Sequence, residues 1–142
     1  MAINIIIAGD YKMRDCMPSM LSNDSEIVII GEASTGEEAV VLTCELKPDI
    51  ILIDLDMPDM NGITAAHIIR DRFPCVRVLF LTECGEDEEF FASMETGAMG
   101  YIVKKVNISE LVKIIKSVYR GDVMVSHFLA RLTFNYRKVV GL

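Results

Sequence analysis

Apolar runs rich in β-branched residues recur along the chain at 3–8, 27–30, 50–53, 76–81 and 101–103, each too short for a helix. Within each run the apolar residues are continuous rather than alternating. That is the mark of strands covered on both faces, and so of a parallel sheet with helical crossovers. The runs start near residues 3, 27, 49, 77 and 100, a recurrence of 22 to 28 residues, which is the length of a βα unit. The pattern predicts an α/β protein with a doubly wound parallel sheet built from (βα)5.

The intervening segments carry helix signals. Ser34 followed by Glu37 matches a capping box, and Ala39, Val40, Leu42, Thr43 and Leu46 continue it as an apolar face that Pro48 stops. Asn107 with Glu110 repeats the signature, and Leu111, Ile114, Ile115, Val118 and Tyr119 follow at helical spacing up to Gly121. Residues 13 to 21 predict a first helix with Pro18 inside it, a residue that can kink or shorten a helix. Past Gly121 the chain reads as a linker, with Ser126 a possible N-cap for a last helix over 127–138. The predicted organisation is one domain over 1–122 and a linker or helical tail over 123–142.

Composition narrows the class. A chain of 142 residues with 51% hydrophobic and 25% charged residues can bury a real core without staples, which disfavours disorder and a disulfide scaffold. With 14 Lys and Arg against 21 Asp and Glu, the net charge is −7, opposite to what duplex binding needs. Cys16, Cys44, Cys75 and Cys84 have no metal-ligand spacing and read as reduced, mostly buried small apolar residues. There is no signal-peptide pattern and no apolar run of membrane-spanning length, so a cytoplasmic protein is expected.

In an open parallel sheet, ligands bind beyond the carboxyl ends of the strands where strand order reverses. For the flavodoxin-like order 2-1-3-4-5 that point lies between the first and third strands, which end in Gly9-Asp10 and Asp54-Leu55-Asp56. Thr82 ends the fourth strand and Lys104 follows the fifth. Taken singly, the aspartates read as turn formers or helix caps, Thr82 as a strand residue and Lys104 as a solvated edge lysine. Taken together they describe a site. Close carboxylates repel unless protonated or bridged by a cation, and a hard ion such as Mg2+ suits oxygen ligands. A lysine and a hydroxyl beside them suit a phosphoryl group, and a carboxylate there can attack phosphorus.

These residues resemble a family. Pro48-Asp49-Ile-Ile-Leu-Ile-Asp54-Leu-Asp-Met57-Pro58-Asp-Met-Asn61-Gly62 resembles the phosphorylation-site signature of response-regulator receiver domains. Leu79-Phe-Leu-Thr82 resembles its switch threonine strand. Gly97-Ala98-Met-Gly100-Tyr101-Ile-Val-Lys104 and Gly31-Glu-Ala-Ser-Thr-Gly36-Glu-Glu-Ala39 resemble the NarL/FixJ (LuxR-type) branch. The resemblance covers residues 3 to about 125. It implies Asp54 as phosphoacceptor, Asp10, Asp54 and the main-chain carbonyl of Asp56 as Mg2+ ligands, and Lys104 and Thr82 on the phosphoryl group. It implies that Tyr101 rotates inward as the readout, that a histidine kinase or small phosphodonor supplies the phosphoryl group, and that a homodimer forms. DNA binding would belong to an output domain outside this chain.

Two positions depart from the family. The first of two adjacent acids after the first strand is Gly9, and the usually small residue after the switch threonine is Glu83. Either Asp56 or Glu83 compensates through a metal-bound water, or the domain is a phosphorylation-independent pseudo-receiver acting as an interaction module. An enzyme or flavin carrier on the same fold is a third class, but no cofactor loop or nucleophile supports it.

The weaker signals have plainer readings. The glycine spacing of Gly31 and Gly36 lacks the Lys-Ser/Thr of a phosphate loop. The acids from Glu83 to Glu89 suit a helix start, and His67 and His127 read as packing or surface residues. Met94 and Met99, flanking the fifth strand's approach, read as core filler, with a partner surface as the alternative. Arg131, Arg137 and Lys138 are too few for a DNA reader.

Overall fold

A computed structural model describes residues 2–55, 62–82, 87–103 and 106–125. β1 (Ile3–Ala8), α1 (Tyr11–Leu21), β2 (Ile27–Ala33), α2 (Gly36–Leu46), β3 (Ile50–Asp54), α3 (Gly62–Arg72), β4 (Arg77–Thr82), α4 (Asp87–Glu95), β5 (Gly100–Val103) and α5 (Ile108–Tyr119) alternate along the chain. A short β6 (Met124–Val125) follows. The sheet order is β2-β1-β3-β4-β5-β6, with every pairing parallel. The expected flavodoxin-like order is therefore present. A sixth strand has been added in the segment read as linker.

The continuous apolar runs become strands because both faces are covered. Ile6, Ile51, Ile53, Val78, Phe80 and Tyr101 pack in one layer with residues of α2, α3 and α4. Ile5, Ile7, Ile50, Leu52, Leu79 and Ile102 pack in the other with α1 and α5. All five residues of β3 are buried, which puts it at the centre of the molecule. Asp49 ties down the far end of the sheet. Its Oδ2 accepts from Asn4 N–H at 2.8 Å, and its carbonyl accepts from Arg77 N–H at 3.0 Å.

The local signals were right in kind and shifted in place. The N-cap of α2 is Thr35, one residue after Ser34, and its side chain accepts from Glu38 N–H at 3.1 Å. Ser34 Oγ instead donates to Glu38 Oε2 at 3.2 Å. β2 runs on to Ala33, paired with Ala8, so the helix must start later. Asn107 caps α5 as expected, accepting from Glu110 N–H at 2.8 Å. α1 starts at Tyr11, two residues early, and continues through Pro18 to Leu21. The expected helix over 127–138 lies outside the described residues. The cysteine reading is corrected in part: Cys16, Cys44 and Cys75 are free, but exposed rather than buried. The apolar faces of α1 and α2 are filled by other side chains, such as Met13, Leu21 and Ala39, which leaves Cys16 and Cys44 on the solvent side. Cys84 lies outside the described residues. His67 is exposed on α3, and Met94 and Met99 are partly buried against the two core layers.

Candidate functional site at the carboxyl edge of the sheet

The topology brings the ends of β1, β3 and β4 together at the switch point. Ala8 is paired with Ile53, so Gly9 is the next residue on β1 opposite Asp54. On the other side Asp54 is paired with Leu81, the residue before Thr82. Thr82 in turn is paired with Val103, the residue before Lys104. Asp54 and Thr82 are each only 2% exposed. A carboxylate and a hydroxyl so deeply placed, at the ends of strands otherwise made mostly of Ile, Leu, Val and Phe, are expensive unless satisfied.

Asp10 is held differently. It is exposed, and as the N-cap of α1 its Oδ1 accepts from Met13 N–H at 2.8 Å. The plain reading of an aspartate after a strand thus holds for Asp10, and it leaves Oδ2 outside that bond. Beside it, the Gly9 carbonyl accepts from Arg14 Nε at 3.2 Å. A Cβ at Gly9 would run into Met13 Sδ, with Met13 Cβ and Cγ both 3.2 Å away. Met13, 7% exposed, fills the space next to the residue that lacks a carboxylate.

Gly62 begins α3 directly over the acidic strand end. A Cβ there would stand 2.8 Å from the Asp54 carbonyl oxygen and 2.8 Å from Ile53 Cγ2. Glycine lets α3 sit against this backbone, a role that the sequence motif contained without stating its cause. Met13 had no sequence signal at all.

Tyr101 is fully buried, inward in the layer that holds Phe80, its partner in the β4–β5 register. Thr82 follows Phe80 by two residues and so points to the same face of β4. Lys104, Asp56 and Glu83 lie outside the described residues. Among the described residues no group of three or more His, Cys, Asp or Glu is arranged to hold a metal ion. Asp10 and Asp54 stand at the ends of neighbouring strands, and Mg2+ is commonly held by one or two carboxylates with several waters. Two carboxylates suit such an ion in kind, with Gly9 where the family usually has a further acid.

The fold and this edge define a receiver of the two-component type. The model of the response regulator receiver domain matches residues 5–116, and the chain belongs to that family. Phosphorylation-dependent switching is the general function of the family. Among curated relatives, the response regulator protein VraR of Staphylococcus epidermidis is 35% identical over 123 residues, which cover 86% of this chain and 59% of VraR. VraR of Staphylococcus aureus is 36% identical over the same shares. The chain therefore spans about three fifths of the length of these relatives. Among solved structures, a LuxR-family two-component response regulator from Aurantimonas is similar with a TM-score of 0.89 at 27% identity, covering 97% of this chain and 99% of that one. A DNA-binding response regulator of the LuxR family from Staphylococcus aureus has a TM-score of 0.78 at 26% identity, covering 82% and 98%. Among the described residues no helix is long and apolar enough to cross a membrane.

Proposed function

We propose that this chain is a phosphorylation-operated switch whose acceptor is Asp54. The observation that carries the reading is a carboxylate 2% exposed at the end of the central strand, between the Gly9-Asp10 turn and the strand that ends in Thr82. An Asp54 carboxylate oxygen attacks phosphorus. The bond from phosphorus to the donor's leaving atom breaks, and the electron pair departs with the imidazole of a phosphohistidine or with acetate. Asp10 Oδ2, Asp54 and the Asp56 carbonyl would hold Mg2+, which when bound offsets the charge on the phosphoryl oxygens. Thr82 donates to the phosphoryl group and Lys104 pairs with it. Tyr101 then favours its inward position, shifting an existing equilibrium. The phosphodonor is a histidine kinase, and the switched surface controls a homodimer. The protein is a cytoplasmic regulator of transcription, its receiver running past the expected boundary at 122 to include β6, and its DNA contacts lying in an output domain outside this chain.

Intact mass after incubation with Mg2+ and acetyl phosphate tests this. One added phosphoryl group, missing from Asp54→Ala, is the expected result. A second reading is favoured by the Gly9–Met13 packing: a pseudo-receiver that acts unphosphorylated as an interaction module. No mass gain together with no response to beryllofluoride establishes that reading instead.

A further inference from the structure

β2 is the outermost strand on its side of the sheet, and among the described residues no other strand pairs with its free edge. Its seven residues, Ile27–Ala33, include neither Lys nor Pro, two residues by which proteins commonly blunt an open edge. Ile27 and Ile29 pack in the layer of α1 and α5, so Val28 points to the face of α2, and it is 40% exposed. On that face Leu46, also 40% exposed, lies over Gly31, where a Cβ would stand 2.9 Å from Leu46 Cδ1. On the other face an open groove runs between β2 and the end of α1, lined by Ile27, Ile29, Pro18 and Ser22. The register passes from Ile5 beside Ile29 to Ile6 beside Gly31, so Ile30 is a bulge that confines a regular added ladder to the stretch before it.

The segment over 131–138 has the complementary chemistry. Leu132, Phe134 and Tyr136 alternate with Thr133, Asn135 and Arg137, the period of a strand with one apolar face, and a rival to the helix that Ser126 suggested. From Ser126 to Leu142 the chain has Arg131, Arg137 and Lys138 and no Asp or Glu, whereas Glu26, Glu32, Glu38 and Glu45 are exposed along β2 and α2. Reach decides which copy supplies the segment. β2 and β6 are opposite edges of the sheet, so a strand added outside β2 lies six strand spacings from Val125. At about 4.8 Å per spacing that is roughly 29 Å. The chain from 125 to 131 extends at most about 21 Å, which falls short even on a straight line through the sheet.

We propose that the free edge of β2 takes residues 132–136 of a second copy of this chain as an added strand. Main-chain hydrogen bonds to the stretch before Ile30 supply the pairing, and alternate side chains supply the fit. Leu132, Phe134 and Tyr136 enter the groove beside Pro18 and Ser22, and Arg131 and Arg137 fall on the α2 side with Glu38 and Glu45. Reciprocal exchange between two copies closes a two-fold dimer. The inference goes beyond the reading of Asp54 as phosphoacceptor and does not depend on it.

Sedimentation equilibrium of the full chain, without Mg2+ or a phosphodonor, tests it together with amide hydrogen exchange over 27–33 at low and high protein concentration. The expected result is a monomer–dimer equilibrium that weakens in high salt, with exchange over 27–33 slowing as concentration rises. Val28→Lys charges the edge at an exposed position, and Phe134→Asp breaks the apolar face of the segment. Each should weaken the dimer about tenfold or more. Should Phe134→Asp fail to fold, Arg137→Glu takes its place with the same expected direction. A monomer at every concentration overturns the proposal, as does a dimer that either substitution leaves unchanged, since its interface then lies elsewhere. Protection over 27–33 that ignores concentration overturns exchange between copies. A dimer that forms only with beryllofluoride also overturns it, and leaves the phosphorylation reading standing.

Discussion

Met13 touches the acidic edge twice: its main-chain N–H holds Asp10 Oδ1 at 2.8 Å, and its thioether fills the space beside Gly9. The same turn of helix that positions one carboxylate also takes the place next to the residue that has none. Asp10 caps the helix, and on the proposed reading it also holds the metal, so substitutions can separate the two roles.

Asp10→Asn keeps an N-cap acceptor of equal quality, so its stability in urea should stay close to the parent. Asp10→Ala loses the cap and should cost about 0.5–2 kcal/mol. Both variants should lose Mg2+ affinity, measured by calorimetric titration. Equal Mg2+ binding in Asp10→Asn and the parent would remove Asp10 from the ligand set.

Gly9→Asp places an acid beside Asp54, the proposed phosphoacceptor. Mg2+ affinity should rise about tenfold, equivalent to about 1.4 kcal/mol, provided Met13 takes another rotamer. In the parent, Asp56→Ala or Glu83→Ala should weaken Mg2+ binding if one of these residues compensates for Gly9. Unchanged affinity in both variants sinks the compensation.

Gly62→Ala puts a methyl group 2.8 Å from the Asp54 carbonyl oxygen. Backbone and Ile53 must yield, which should cost about 1–3 kcal/mol by chemical denaturation. The phosphorylation rate of Asp54 should fall as well, since the strand end that presents it is displaced. A stable variant with an unaltered rate would show that α3 can retreat freely.

Lys116 links α5 to the loop before β2 through Asp24 at 2.9 Å and Glu26 at 3.4 Å. The Lys116 hydrogen bond, helped by the Glu26 N–H, lowers the Asp24 carboxyl below its ordinary range. The same hydrogen bond to Asp24 raises the Lys116 ammonium. A depressed acid stabilises above its unfolded pKa and loses that contribution as pH falls through its folded one. A raised base stabilises below its unfolded pKa and loses it as pH rises through its folded one. Lys116→Met should move the Asp24 carboxyl resonance titration upward, and the parent's shift should shrink in high salt. An Asp24 titration identical in both proteins would show that the pair is not formed in solution.

The sequence by itself determined the five βα units, because strands buried on both faces must be continuously apolar and crossovers impose their own length. It also pointed to Asp54, Thr82 and Asp10 together, because strand ends at a reversal of order are the open edge of any such sheet. Tyr101 was legible through its motif, its inward position only through the packed layer. The start of α2 was ambiguous locally: Ser34 and Thr35 each have a glutamate three residues on, and the pairing of Ala33 with Ala8 decided between them. Only the tertiary structure could set Met13 beside Gly9, place Gly62 over the Asp54 carbonyl and lay β6 along β5. These relationships join residues from different elements. Periodicity records which side of an element is buried, while register and side-chain interdigitation depend on what the rest of the chain brings to that side.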